Sequence, residues 1–459
     1  MSVFYILPNQ LFECICDDFV KQENITKIVL WEHPDFFTKY NFNKKKLVLH
    51  RASMKYFYDN NLKKKIKSIK DIEYIEFTDK HKFPDRYVIF DPINKMNDIH
   101  ELNKGDIIIK ESPNFLLTKE HYNEISNDSE KIKTRFTSDF YAYCKTHLNY
   151  LKKIPSQDKF NRKKLNDKKV KIPTIDCDVK TKEKKYLIEA VQYVDKHFSN
   201  NYGTLENVTN TFMFPISSKV AKKRFNDFVK ERMHLYGKYQ DAIVKDNSVL
   251  FHSMLSCSLN IGILQPSYIL KSLRRINTQD VSIQNTEAFF RQLCWREYQR
   301  YCYIHHPYLS KMNHLRLYKK LDKRWYDGTL NIDPVDNCIK KAFNNAYLHH
   351  IERLMVIGNY MLLNKIKPSE GFKWFMEFAI DSYEWVMHQN VYDMVFFCSG
   401  GKTSYKPYFT SNNYILKMSN YSRKDGWNDK WKAKYIAFIK NKKDILIKLP
   451  RSFPNKYLK

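Results

Sequence analysis

EAFFRQLCWREYQRYCY, residues 287–303, repeats its apolar side chains at steps of three and four, the period of a helix with one buried face. On such a helix Arg291, Gln292, Trp295 and Arg296 are neighbours, because positions three or four apart lie on one face. An indole flanked by an amide and guanidiniums has the chemistry to stack on a base and bond its edge. Taken alone, the segment fits a buried Trp with solvated arginines equally well. The same period runs through most of the chain from about residue 186 onward, as in AKKRFNDFVKERM (221–233) and IERLMVIGNYMLL (351–363). The C-terminal part, 186–459, is therefore expected to be all helix.

Moving outward, the first 110 residues alternate β-rich runs with helical patterns: VFYIL at 3–7, KIVLW at 27–31, IEYIEF at 72–77, RYVIF at 86–90 and DIIIK at 106–110. KLVLHRASMKYFYDNNL, between the second and third runs, has helical spacing. This alternation predicts an α/β N-terminal domain, residues 1–150, with a mainly parallel sheet. Residues 151–185, dense in Lys and Asp and carrying two prolines, read as an exposed basic linker. A chain of 459 residues also exceeds what one core usually serves, so two domains are expected on length alone.

A net charge of +29 implies an anionic partner, and 15% aromatic residues beside those cations suit exposed bases. No segment reaches the roughly 18 apolar residues of a membrane span, and the start MSVFYILPNQLFE lacks signal-peptide order. The expected protein is soluble and intracellular: nuclear, cytoplasmic or associated with a DNA-containing particle. Nine cysteines include no C-x-x-C, so neither a zinc site nor a disulfide framework is indicated. Ten glycines form neither G-x-G-x-x-G nor a P-loop, so a nucleotide cofactor must be held by other means.

Three segments carry candidate chemistry. In LFHSMLSCSLNIGILQP (250–266), Ser253 and Ser256 lie three apart at a helical start whose amides and hydroxyls can bind a pyrophosphate without glycines. The helix of 287–303 is the second. The third, WYDGTLNIDPVDNCIKKAFNNAYLHHIERLMVIGN (325–359), contains His349 and His350 followed by Arg353, groups suited to proton transfer near a redox centre.

In order and spacing, Ser253 to Ser256, Arg291 to Glu297, Trp325 to Asp336 and His349 to Leu354 resemble the flavin half of the photolyase and cryptochrome superfamily. DSYEWVMHQN (381–390) and KPYFTSNNYILKMSNYS (406–422) look most like the bacterial-type (6-4) photolyases of the iron–sulfur branch, and ILPNQLF, HRASMKYFY and ESPNFLL extend the resemblance into the first domain. The resemblance implies FAD in the helical domain, with Ser253, Leu255 and Ser256 near its phosphates. It places Arg353 against Asp381 or Glu384 beside the isoalloxazine, and Asn390 facing the flavin N5. It also implies a lumazine-type antenna in the α/β domain, with Glu32 as a contact. Gln292 and the His349–His350 pair match enzymes for the (6-4) photoproduct, where dimer photolyases usually have Glu and Asn. The implied function is light-driven repair of ultraviolet lesions in double-stranded DNA by reduced FAD. His349 and His350 would be catalytic, with His350 the proton donor; Arg291, Gln292, Trp295 and Arg296 would hold the lesion, Trp295 stacking on a flipped pair.

Two departures stand out. Cys338 matches the first cluster ligand of that branch, but Ser422 and Asp425 replace the later C-x-x-C and no cysteine follows Cys398, so no iron–sulfur cluster is expected. Trp427 and Trp431 are expected to fill the vacated space. Met394 stands where the classical relay tryptophan would be, leaving Trp325 and Trp385 as relay candidates. The alternatives are a cryptochrome-like light sensor and a photolyase-derived DNA-binding or structural protein. Oligomeric state is not legible.

Overall fold

The computed structural model describes residues 2–96, 99, 107–127, 135–152, 154–175, 181–423 and 426–449. All five β-rich runs form strands: β1 (Ser2–Ile6), β2 (Ile25–Trp31), β3 (Ile72–Ile75), β4 (Tyr87–Phe90) and β5 (Ile107–Lys110). They make one parallel sheet in the order β3-β2-β1-β4-β5. The order reverses at β1, the doubly wound pattern. Near-continuous apolar strands such as YVIF, buried at all four positions, are what a sheet covered on both faces requires.

The helix between the second and third runs is α1 (Lys44–Phe57), capped by Asn43, whose Oδ1 accepts from Lys45 N at 3.0 Å. Gly203 (φ +89°) lies against this cap, where a Cβ would come within 2.6 Å of Asn43 Oδ1. α1 packs on α2 (Thr181–His197).

Contacts divide the chain into two compact units. The sheet unit comprises Met1–Lys119, Thr174–Asp227 and Ser253–Arg275; the helical unit comprises Glu120–Pro173, Phe228–His252 and Ile276–Lys459. The compositional boundaries at 150 and 185 do not coincide with them, because α2 and the Ser253–Ser256 segment pack with the sheet. Nor is 151–185 simply exposed: Leu165, Val170 and Ile172 pack against the buried cluster Tyr239, Ala242, Leu250 and Phe251 of the helical unit.

In the helical unit the segment at 287–303 lies within α4 (Ile283–His305), started by Ser282, which accepts from Asn285 N. α3 (Ser256–Asn260) belongs to the sheet unit. Further helices of the helical unit are α5 (Asp333–Asn345), α6 (Pro368–Phe378), α7 (Glu384–Gln389) and α8 (Trp427–Asn441). Wide, π-type turns at Glu352–Gly358 and Asn390–Val395 interrupt the α-helical ladder, a feature frequent at functional sites. No helix among the described residues is long and apolar enough to cross a membrane.

Candidate active site

His349 and His350 sit on the approach to the wide turn that starts at Glu352, and they differ sharply in exposure. His349 is 1% exposed, whereas the His350 side chain is 45% exposed. A third imidazole joins them from a distant part of the sequence: His252 stacks on His349 with centroids 4.9 Å apart and planes at 14°, and meets His350 edge-on at 5.4 Å. Burial, then the facing His350, pulls the His252 pKa down to about 3; burial, then His252, holds His349 well below its ordinary value. Burial thus favours the neutral form of both rings, and His350 is the solvent-exposed member of the three.

Two carboxylates border the cluster. Asp241 Oδ1 is 3.5 Å from His350 Nε2, and Glu352 Oε2 is 3.6 Å from His349 Nε2. Burial would raise the Asp241 carboxyl, but His350 and then Arg162 outweigh it and hold the group below the usual range. Glu352 goes the other way, raised by burial despite its bond from Lys341.

Beyond this cluster, Arg353 donates from both terminal nitrogens to Asp381, at 2.9 and 3.2 Å, so Asp381 and not Glu384 is its carboxylate partner. Tyr347 and Phe378 flank the guanidinium at 5.4 and 5.5 Å. The half-buried Asn390 opens the second wide turn, its Oδ1 accepting from Gln299 Nε2 at 3.2 Å. Gln299 Oε1 is buried with no hydrogen-bond partner, as is Gln389 Oε1.

On α4, Arg291, Gln292, Trp295 and Arg296 are all half-buried, as their helical spacing predicts. One face of the Trp295 indole is already covered by Phe136, stacked at 3.8 Å and 17°. Arg291 pairs with Asp158 at 3.3 Å, and Arg296 lies 4.9 Å over the Trp385 ring. Trp325 and Trp385 are both buried, and Met394 is half-buried in the second wide turn. The Trp325 carbonyl accepts from Trp374 Nε1 at 2.8 Å, and its ring begins a series through Tyr360 (5.9 Å), Trp431 (5.0 Å) and Trp427 (6.1 Å). Trp427 and Trp431 are fully buried, bonding Ser422 O and Thr410 O. Cys338 is buried, its Sγ 3.7 Å from Glu352 Oε1; Asp425 lies outside the described residues.

In the sheet unit, Ser256 opens α3 while Ser253 is separated from it by Met254 in the left-handed region (φ +59°), so the two serines do not share a continuous helical face. Glu32 is wholly buried and bonded at both oxygens. Oε1 accepts from Arg51 Nη1 (2.9 Å) and Tyr74 Oη (2.6 Å), and Oε2 from Tyr193 Oη (2.8 Å) and Phe77 N (3.3 Å). An antenna chromophore would have to displace one of these partners to bond it.

Sequence reasoning missed His252, Asp241 and Trp374. His252 directly precedes the Ser253–Ser256 turn, but nothing local signals its pairing with a histidine 97 positions later. Trp374 sits in the apolar run GFKWFMEF, where a ring reads as core.

A doubly wound parallel sheet with a helical unit carrying these residues defines the photolyase/cryptochrome fold. The structure is similar to a cryptochrome from Synechocystis (TM-score 0.60, 12% identity, covering 96% of this chain and 89% of that one) and to a class III photolyase from Agrobacterium tumefaciens (TM-score 0.54, 15% identity, 99% and 89%). Residues 4–209 match the family model for deoxyribodipyrimidine photo-lyase-related proteins. A 236-residue stretch is 34% identical to the (6-4) photolyase of Agrobacterium fabrum, spanning 51% of this chain but only 46% of that enzyme. The chain thus has the photolyase/cryptochrome fold, and its sequence is similar to photolyase-related proteins over about half its length.

Proposed function

We propose that the protein is a light-driven DNA repair lyase that acts on (6-4) photoproducts with reduced FAD. The observation that carries the substrate assignment is the asymmetric histidine pair: His349 buried and neutral, His350 exposed with Asp241 within ion-pair distance. Repair of a (6-4) lesion moves a hydroxyl or its equivalent between bases and needs a proton donor, whereas splitting a cyclobutane dimer needs only an electron. The likeness to the A. fabrum (6-4) photolyase supports the same reading.

The residues present fit a flavin. Among the described residues Gln299, which donates to Asn390, and Gln389, which precedes it in sequence, each have a buried acceptor without a hydrogen-bond partner, and the Arg353–Asp381 pair is flanked by aromatic rings. Bound and reduced, the flavin supplies the photoexcited electron. Arg353, oriented by Asp381, and Asn390 would hold the ring. Trp295 stacks on the extruded lesion with the indole face that Phe136 leaves free, Gln292 bonds its edge, and Arg291 and Arg296 meet the phosphates. His350 delivers a proton to the lesion from its exposed ring, while His349 packs behind it.

The test is repair yield per bound flavin under blue light, on both lesion types. Light-dependent loss of (6-4) photoproducts supports the assignment. Splitting of cyclobutane dimers alone overturns the substrate, and a protein without releasable flavin overturns the reaction in favour of a DNA-binding role.

A further inference from the structure

We propose that His252, His349 and His350 form a binding site for one divalent transition-metal ion of the zinc class. One ring nitrogen from each lies within 4.8 Å of the other two. Tetrahedral zinc at about 2.0–2.1 Å from each nitrogen requires them about 3.3 Å apart, so binding must turn the stacked His252 and His349 rings until their in-plane lone pairs converge.

The chemistry of the donors is right for such an ion. Imidazole nitrogen is a ligand suited to this class of ion, and three such rings from distant parts of the sequence meet here. Their donor capacity is also unspent: His252 Nε2 and both nitrogens of His349 are buried without a hydrogen-bond partner. Three such atoms in one place, unpaired among the described residues, offer positions that a ligand would complete. Residues that ligate zinc through imidazole commonly bond a carboxylate with the other ring nitrogen, which fixes the ring and raises its basicity. Asp241 stands at His350 Nε2 (3.5 Å) and Glu352 at His349 Nε2 (3.6 Å) in that relation. These two carboxylates offset the ion's charge against Lys341 and Arg353, which bear on His349, and Arg232, which bears on His252. An imidazole-rich set selects Zn, Cu, Ni or Co over Mg and Ca.

An ion held there keeps all three rings unprotonated, so metal occupancy and proton donation by His350 exclude one another. The inference itself requires neither flavin nor DNA, and its test reads metal binding alone, so it stands or falls apart from the repair assignment.

The experiment uses the full chain with Cys14→Ser, Cys16→Ser and Cys177→Ser, which removes the thiols exposed among the described residues and the one outside them as competing zinc ligands. Zinc chloride is titrated against a chromophoric chelator, and cobalt(II) is added separately to read its visible absorption. One saturable equivalent that magnesium does not displace is expected. His350→Ala, at an exposed position that folding does not need, should abolish the cobalt spectrum, and Asp241→Asn should weaken zinc by about 10–100-fold. No saturable equivalent, or binding unchanged in His350→Ala, overturns the site.

Discussion

Two buried polar clusters, one around Glu32 in the sheet unit and one around His349 in the helical unit, are built in opposite ways. In the sheet unit, Glu32 is fully buried and every bond is made: Arg51 bridges it to Glu76 and Glu189, and Tyr74, Tyr193 and Phe77 N complete its acceptors. In the helical unit, His252 and His349 are also buried, yet three of their ring nitrogens have no hydrogen-bond partner among the described residues. A satisfied buried network rigidifies a fold, while an unsatisfied one is explained by something the site must accept. The Glu32 network therefore reads as structural, and the histidine cluster is where the proposed chemistry would take place.

The contrast breaks most readily at His350. His350→Ala should lower light-dependent (6-4) repair about 100- to 10,000-fold, the range general acid catalysis supplies, with flavin content unchanged. Urea unfolding should shift by no more than about 0.5 kcal/mol, as for an exposed residue. Undiminished repair per flavin, or joint loss of flavin and stability, would assign His350 a structural role and erase the difference between the units.

The opposite pattern is expected at Arg51→Met. It leaves the Glu32 carboxylate buried without its cation, and breaking such a pair costs about 3–5 kcal/mol. Repair per folded molecule should be unaffected, because Arg51 belongs to the sheet unit's network. A midpoint in urea within error of wild type would show that the network carries no stability.

Acidification sharpens the comparison next. His50 in the sheet unit and His252 in the helical unit both have folded pKa values of about 3 against an ordinary 6.5, in each case chiefly through burial. A histidine with a depressed folded pKa binds more protons when unfolded, so its contribution is complete above pH 6.5 and is lost as pH falls toward 3. Each such group should cost about 1.4 kcal/mol per pH unit in that window. Urea midpoints at pH 7, 6 and 5 should fall progressively. A flat profile would mean these rings are protonated in the fold.

Much of this fold was legible in the sequence, for physical reasons that differ by element. The five strands announce themselves because a doubly covered parallel sheet demands short apolar runs, and YVIF or KIVLW can be little else once bounded by turns. The helix bearing Trp295 and its neighbours follows from period alone. What was not legible is pairing across the chain. No local rule brings His252 onto His349, and the break at Met254 between Ser253 and Ser256 is a single left-handed residue with no glycine to signal it. The linker's basic composition likewise hid three apolar residues, Leu165, Val170 and Ile172, sufficient to fasten it to a core.

The smallest expected effect concerns Cys338, the residue that matches a cluster ligand. Its thiol is buried, raised well above its ordinary pKa first by that burial and then by Glu352, whose Oε1 is 3.7 Å away. A cluster requires thiolates, and both burial and a neighbouring carboxylate disfavour the thiolate form. Ser422, which replaces a later cluster ligand in the sequence, accepts at its carbonyl from the fully buried Trp427 at 2.7 Å. Purified protein should therefore contain no stoichiometric iron or acid-labile sulfide, with or without Cys338→Ala. The substitution itself should cost about 1 kcal/mol, a buried small side chain lost beside a carboxylate already bonded by Lys341. Iron at several atoms per chain in the wild type, lost in the variant, would restore the cluster and make Cys338 functional in the sense argued here for the histidines.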